Sequence, residues 1–299
     1  DEANHRFRPE VLKKMGELSF FACALPEEYG GNGFGFLESV ILAEQIARVS
    51  GSWRVPFNMQ NLGPPVTVAK YGTDEQKRTF IPGWVSGESI GFFAMTEPNT
   101  GSDVASMGTT ATDQGDHWEL NGQKMWISNA HVGDWGLLYA FTDKSQKHRG
   151  MTCFIINLKE TEGVTTSAIE SKLGLHCAPT GEIVFDGAKI PKDSVLGEVG
   201  QGFQICMWQL NNTRIGCAAG ALGIAGGAVA AAIDYANTRT QFGQKIGAYQ
   251  MVQAQIADMV AEHEAAKLLV YRAAWLKDQG LPNQHETSMA KLFASEAAV

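Results

Sequence analysis

Cysteine is sparse and scattered. The chain of 299 residues holds five (Cys23, Cys153, Cys177, Cys206 and Cys217) and no CxxC pair. That excludes a paired-cysteine redox motif or zinc ribbon and reads as reduced, buried thiols of a cytosol-like compartment. The seven His show no ligand spacing and HExxH is absent, so no metal is expected. There is no basic block. With 24 Lys+Arg against 32 Asp+Glu and a net charge of −8, nothing suggests a nucleic-acid footprint. No apolar run reads as long enough for a membrane span. A dinucleotide fingerprint is also missing. "YGGNGFG", "GEVGQG" and the set Gly220, Gly223, Gly226 and Gly227 are glycine-rich, but none follows a strand and opens a helix in GxGxxG register. The first two read as loops and the third as close helix packing. There is no initiator Met. Asp1 opens in charged sequence and Val299 stops inside "ETSMAKLFASEAAV", so both ends read as cut and a targeting peptide would be invisible.

What remains is an ordinary globular composition, 44% hydrophobic and 19% charged, with room for two or three domains. Residues 11–90 read as helices joined by Pro/Gly loops. "FLESVILAEQIARVS" places Leu37, Val40, Ile41, Ala43, Ile46 and Ala47 near a 3.6 period. Thr73 reads as an N-cap, and Pro82 as the end or kink of the helix that follows. From about 90 to 197 the pattern turns to strands. "HWELNGQKMWIS" and "GEIVFDGAKIP" each predict a hairpin, at Asn121-Gly122 and at Asp186-Gly187. "WGLLYAF" and "MTCFIINL" are short apolar strands. The expected segment is an antiparallel β domain. From about 201 helices return. "GALGIAGGAVAAAIDYA" is apolar on nearly every face and predicts a buried helix. A long periodic helix follows, with Val252, Ile256, Met259, Val260, His263, Val270 and Ala274 on one stripe, stopped by Gly280 and Pro282.

Two stretches concentrate polar groups at strand ends. "TEPNTGSD" crowds Thr96, Glu97, Asn99, Thr100, Ser102 and Asp103 into eight residues. It reads either as a capped proline turn or as a polar pocket for a heterocycle or thioester. In "KMWISNA", Trp126 offers a flat apolar face and Ser128 a donor on the same side of the strand. The plainer reading is a core Trp beside a solvated Ser.

Together with "PEEYGGNG", "NNTRIGCAAGALG" and "RTQFGQKIGAYQ", in this order and over nearly all 299 residues, these strings resemble the FAD-dependent acyl-CoA dehydrogenases. The resemblance implies an α+β fold with an N-terminal helical domain over 1–91, a middle β domain over 92–198 and a C-terminal four-helix bundle over 199–299. It implies FAD as cofactor. Thr96, with the main chain at Phe93 and Met95, would meet the flavin ring, and Ser102 would sit where cofactor and CoA approach. Trp126 would pack on the isoalloxazine and Ser128 would donate near its reactive nitrogen. Arg239, Gln241, Phe242 and Gln250 would reach the FAD held mainly by a neighbouring subunit. Asn211 and Arg214 would lie near the CoA arm. A homotetramer built as a dimer of dimers, an electron-transferring flavoprotein as partner, and a bacterial cytoplasm (or a mitochondrial matrix, in a eukaryote) are further implications.

In this family a carboxylate removes the proton alpha to the thioester and the flavin takes a hydride from the beta carbon. That base is a Glu near the chain end or one just before the Arg of the "TR" pair. Here the latter position is Thr213, so no catalytic base is assigned within residues 1–299. The family's Arg and Ser in the loop before the last hairpin are His176 and Ala178 here. Arg54 stands where the glutaryl-CoA branch carries an Arg that clamps a substrate carboxylate. A buried Arg facing an alkyl tail would be costly, whereas facing a carboxylate it makes two charge-assisted bonds. The competing reading pairs Arg54 with Glu44 or another acid. Trp53, Pro56 and Phe57 leave room for a ring-bearing acyl group. Substituted succinyl-CoA, alicyclic and short-chain substrates, a flavin oxidase or monooxygenase, and a non-catalytic homologue stay open.

Overall fold

The computed structural model describes residues 1–299. In chain order the helices and strands are α1 (Pro9–Glu17), α2 (Phe36–Val49), α3 (Gly51–Leu62), α4 (Pro64–Tyr71), α5 (Asp74–Ser86), β1 (Phe92–Ala94), β2 (Thr110–Asp113), β3 (His117–Ser128), β4 (Trp135–Phe141), β5 (Met151–Asn157), β6 (Val164–Ala168), β7 (Thr180–Pro191), β8 (Val195–Leu196), α6 (Gly202–Thr238), β9 (Thr240–Gln241), β10 (Gln244–Lys245), α7 (Gln250–Asp278) and α8 (Gln284–Ala297). This is the expected order of helices, strands and helices. By compactness the chain divides into two units, Asp1–Phe34 with Val55–Thr213, and Gly35–Arg54 with Arg214–Val299. These units cut across the three segments drawn from sequence, because α3 and α6 each run through a unit boundary.

In the first unit an eight-stranded sheet runs in the order β6-β7-β3-β2-β4-β5-β8, with β1 beside β4. Its central strand β4 is apolar throughout because both faces are covered. Leu137, Tyr139 and Phe141 pack with α4 and α5 residues such as Val66, Ile81 and Trp84, while Leu138 and Ala140 pack with Trp118, Phe154 and Ile183. The Trp84 indole donates to the Trp135 carbonyl at 3.1 Å, tying α5 to the start of β4. Thr73 caps α5 as expected, accepting from the Gln76 amide at 3.2 Å. Pro82, however, lies inside α5, which continues to Ser86 and closes on left-handed Gly87.

The strand expectations need three corrections. The sheet is mixed, since β1 and β2 both pair with β4 in parallel. Neither Asn121-Gly122 nor Asp186-Gly187 turns a hairpin; each lies inside one of two long paired strands, β3 and β7. Between the pairs Leu120↔Ala188 and Gly122↔Phe185, Asp186 and Gly187 together oppose Asn121 alone. That is a β-bulge with Gly187 left-handed, and the Asn121 Oδ1 accepts from the Gly187 amide at 2.9 Å. The turn chemistry of Asn-Gly and Asp-Gly is spent on the bulge.

In the second unit α2 lies against α6 and α7. A Cβ on Gly223 would come within 2.2 Å of the Glu44 carbonyl oxygen, and one on Gly227 within 3.0 Å of the Arg48 oxygen. The glycine-rich stretch is close helix packing, as expected. The expected burial of this helix holds only in part: Ile224 in its middle and Ile233 and Tyr235 toward its end are exposed. Residues 215–233 also carry no Asp, Glu, Lys or Arg. By length and composition α6 could therefore cross a membrane, with a window of mean hydropathy 1.8, which corrects the expectation that no run is long enough. The same small residues let α2 approach, and 44% of that window is buried within the chain.

Candidate active site

In the first unit, β1 delivers "TEPNTGSD" to the side of β3 where "KMWISNA" sits. The Met125 amide donates to the Thr96 carbonyl at 2.9 Å. Beneath this junction lies a buried ion pair that sequence reading missed. Lys124 is fully buried, and its ammonium donates to Glu97 Oε1 at 2.8 Å and to the Met95 carbonyl at 3.0 Å. Glu97 also accepts from the Thr109 amide at 3.0 Å and from the Gly108 amide. Burial pushes Lys124 down to about 8, against the pull of Glu97. Burial would raise Glu97, but Lys124, Thr109 and Gly108 together hold it below the usual carboxylate range. Glu97 is thus a strut rather than a ligand group. The alternation of β3 carried the signal, because Lys124 falls on the inward phase of Trp118 and Leu120.

The next two residues form a second bulge. Between Lys124↔Ile183 and Ile127↔Gly181, Met125 and Trp126 oppose one residue of β7. Trp126 takes φ +61° and leaves 55% of its surface exposed. A large aromatic in the left-handed region costs on the order of 1–3 kcal/mol, and such strain clusters at ligand sites. The core reading of Trp126 is therefore corrected. Polar side chains of the same two motifs have no partner in the chain: Thr96 and Ser128, half-buried, and Ser102, exposed. Asn129 anchors the end of the motif, donating to the Gly91 carbonyl at 2.7 Å. Phe93 packs edge-on against Tyr139, ring centroids 5.3 Å apart. The Met95 carbonyl already accepts one hydrogen bond from Lys124, which fixes the main chain there. An exposed flat ring beside unpaired hydroxyls fits a flavin, which is flat with polar edges.

Further polar atoms of this unit are buried without partners: Asn58 Oδ1, Gln209 Nε2 and both side-chain atoms of Asn212. Gln209 and Asn212 lie one turn apart on α6, beside Asn211, and the Asn58 amide reaches the Thr213 carbonyl at 3.4 Å. An unsatisfied buried group costs about 1–3 kcal/mol, which a polar ligand removes. Sequence reading singled out Asn211 and Arg214 and passed over these three. Phe57 belongs to the core, tilted against Phe21 at 5.7 Å.

The second unit carries Arg54, Arg214 and the "RTQFG" residues. Arg54 is half-buried and has no acid within 4.0 Å. Its Nη1 meets only Cys217 Sγ, at 3.7 Å, and its Nε is buried without a partner. Glu44 is committed elsewhere: it accepts from the Tyr271 hydroxyl at 2.7 Å and faces Lys267 at 4.0 Å. The Arg54–Glu44 pairing is therefore absent. Arg239, Gln241 and Phe242 surround a two-strand hairpin, β9 to β10, that the sequence had not shown. Its turn places Phe242 and Gly243 at φ +49° and +81°, with Phe242 93% exposed. The Tyr249 hydroxyl donates to the Gln241 carbonyl at 2.9 Å and so holds the hairpin beside Gln250, the first residue of α7.

Comparison with known proteins assigns the whole chain. Residues 1–88 match the N-terminal domain model of acyl-CoA dehydrogenases, 92–188 the middle domain and 200–299 the C-terminal domain. A glutaryl-CoA dehydrogenase of Desulfococcus multivorans is 47% identical over 99% of this chain and 77% of its own length. The short-chain specific acyl-CoA dehydrogenase of Bos taurus mitochondria is 42% identical over 99% and 72%. A solved glutaryl-coenzyme A dehydrogenase in complex with glutaryl-CoA superposes with a TM-score of 0.96 at 44% identity, covering 99% of this chain and 76% of that one. With its strained aromatic, its unpaired hydroxyls and all three domain models matched in order along it, the chain belongs to the acyl-CoA dehydrogenase family.

Proposed function

We propose that this enzyme oxidises an acyl-CoA bearing a free carboxylate at the far end of its acyl chain, glutaryl-CoA or a close analogue, to the enoyl-CoA with FAD as cofactor. The observation that carries the substrate assignment is Arg54: a half-buried guanidinium with no acid partner and a buried, unbonded Nε. An uncompensated charge in that setting costs several kcal/mol, and a substrate carboxylate removes the cost. FAD, when bound, accepts the hydride from the beta carbon. Trp126 is suited to stack on its ring, while Thr96 and Ser128 supply polar contacts at its edge. Ser102, Asn211 and Arg214 are assigned to the thioester and CoA arm. Arg239, Gln241, Phe242 and Gln250 are assigned to the pyrophosphate and adenine side of a neighbouring subunit's FAD. Their side chains being mostly exposed on an ordered hairpin and helix start supports that reading. So do the apolar side chains left open on α7 and α8, Met251, Leu268, Trp275 and Leu292, for a homotetramer. An electron-transferring flavoprotein as acceptor and a cytoplasmic setting complete the proposal.

The test is anaerobic bleaching of the purified flavoprotein with glutaryl-CoA, butyryl-CoA and an alicyclic acyl-CoA in parallel. Fast bleaching by glutaryl-CoA over the other two is expected. Faster bleaching by butyryl-CoA or the alicyclic substrate would keep the reaction and discard the carboxylate. Rapid reoxidation by oxygen would favour an oxidase. For the cofactor arm, Arg239→Ala is expected to lose FAD on gel filtration, and full retention would count against that assignment.

A further inference from the structure

Arg54 lies in a slot made by a missing side chain. A Cβ built on Gly220 of α6 would stand 2.6 Å from Arg54 Nε, 2.8 Å from its Cδ and 3.2 Å from its Cζ. No real Cβ approaches that closely, so any residue but glycine at 220 displaces the guanidinium. The other glycines of this helix serve different neighbours. Gly223 and Gly227 admit the backbone of α2, at the Glu44 and Arg48 carbonyls, and Gly226 admits His263. At Gly220 the intruding group is the stem of a flexible cationic side chain, so a Cβ there moves the charge and leaves the helix packing in place.

We propose that Gly220 is a specificity-setting position: its empty side-chain site seats Arg54, and residue 220 thereby decides whether Arg54 can present its charge to a substrate carboxylate. The inference rests on the carboxylate reading of Arg54. Three facts narrow the alternatives. Arg54 has no acid within ion-pair distance, so the slot is not an accessory to an internal salt bridge. Its one polar contact, Cys217 Sγ, is a weak acceptor one turn before Gly220 on the same helix, so α6 supplies both the slot and that contact. Glycine is also the poorest helix former after proline, so its place in the middle of a 37-residue helix needs a packing reason.

The experiment uses the full-length, flavin-loaded enzyme as wild type, Gly220→Ala, Arg54→Ala and the double variant. The ratio of kcat/KM for glutaryl-CoA to that for butyryl-CoA is read in each. Gly220→Ala is expected to lower the ratio about tenfold or more, chiefly through a raised KM for glutaryl-CoA, and to change nothing further once Arg54 is gone. An unchanged ratio in Gly220→Ala would overturn the proposal. Should the wild type show no preference for glutaryl-CoA, the substrate reading fails by itself, and the slot is judged on melting temperature. Gly220→Ala should raise the midpoint by about 2 °C in the Arg54→Ala background, where the Cβ has room, and by less when Arg54 is present. Equal rises in both backgrounds would show that Arg54 does not lie in the slot.

Discussion

At the scale of single residues, the proposed cofactor seat combines backbone strain with a buried ion pair. Lys124 and Glu97 neutralise each other under the loop, and directly above them Trp126 is forced into a left-handed conformation with its ring in the open. Two consequences can be measured. Trp126→Gly should relieve the backbone, so the apoprotein is expected to hold its stability or gain up to about 1 kcal/mol, while FAD occupancy falls. A large loss of apoprotein stability would make the ring structural instead. The second concerns pH. Lys124 has a folded-state value of about 8 against 10.5 unfolded, so above pH 8 the folded state sheds its proton first and the unfolded state binds more. Stability due to this group therefore rises between pH 8 and 10.5, by at most about 1.4 kcal/mol per pH unit. Urea unfolding at pH 7.5, 8.5 and 9.5 should show that slope in the wild type relative to Lys124→Met. A difference between the two proteins that stays flat across that range would remove Lys124 from the account of alkaline stability.

At the scale of elements, periodicity located what local turn chemistry misplaced. The 3.6-residue spacing in "FLESVILAEQIARVS" and the cap at Thr73 were legible because each depends on neighbours three or four residues away. Asn121-Gly122 and Asp186-Gly187 were not, because the same positive-φ preference serves a hairpin turn and a bulge, and only the partner strand decides between them. The exposed end of α6 shows the same limit, since an apolar helix reads as buried whether its cover comes from this chain or from elsewhere. The glycines of α6 were legible as packing, but not for what each one admits. Gly223 makes that concrete. Its Cβ would meet the Glu44 carbonyl at 2.2 Å, and backbone cannot step aside. Gly223→Ala is expected to cost about 1–3 kcal/mol despite the better helix propensity of Ala. Chemical denaturation reads this directly, and a stabilised variant would mean that α2 does not approach α6 there.

At the scale of the whole molecule, the reaction class was legible because five motifs fall in order along one chain. The substrate was legible only in part. Arg54 could be picked out, but whether Glu44 neutralises it depends on Tyr271 and Lys267, more than 200 residues away, which no local pattern reveals. The buried atoms of Asn58, Gln209 and Asn212 escaped notice for the same reason, since an orphaned amide looks like any other in a sequence. The central claim is that a charge left unpaired by its own protein is completed by the substrate. The most direct test is kcat/KM for glutaryl-CoA and butyryl-CoA in wild type and Arg54→Ala. Two charge-assisted hydrogen bonds of about 1.5–3 kcal/mol each would make the ratio collapse by about two orders of magnitude or more, with butyryl-CoA affected far less. Equal losses on both substrates, or none on either, would contradict it.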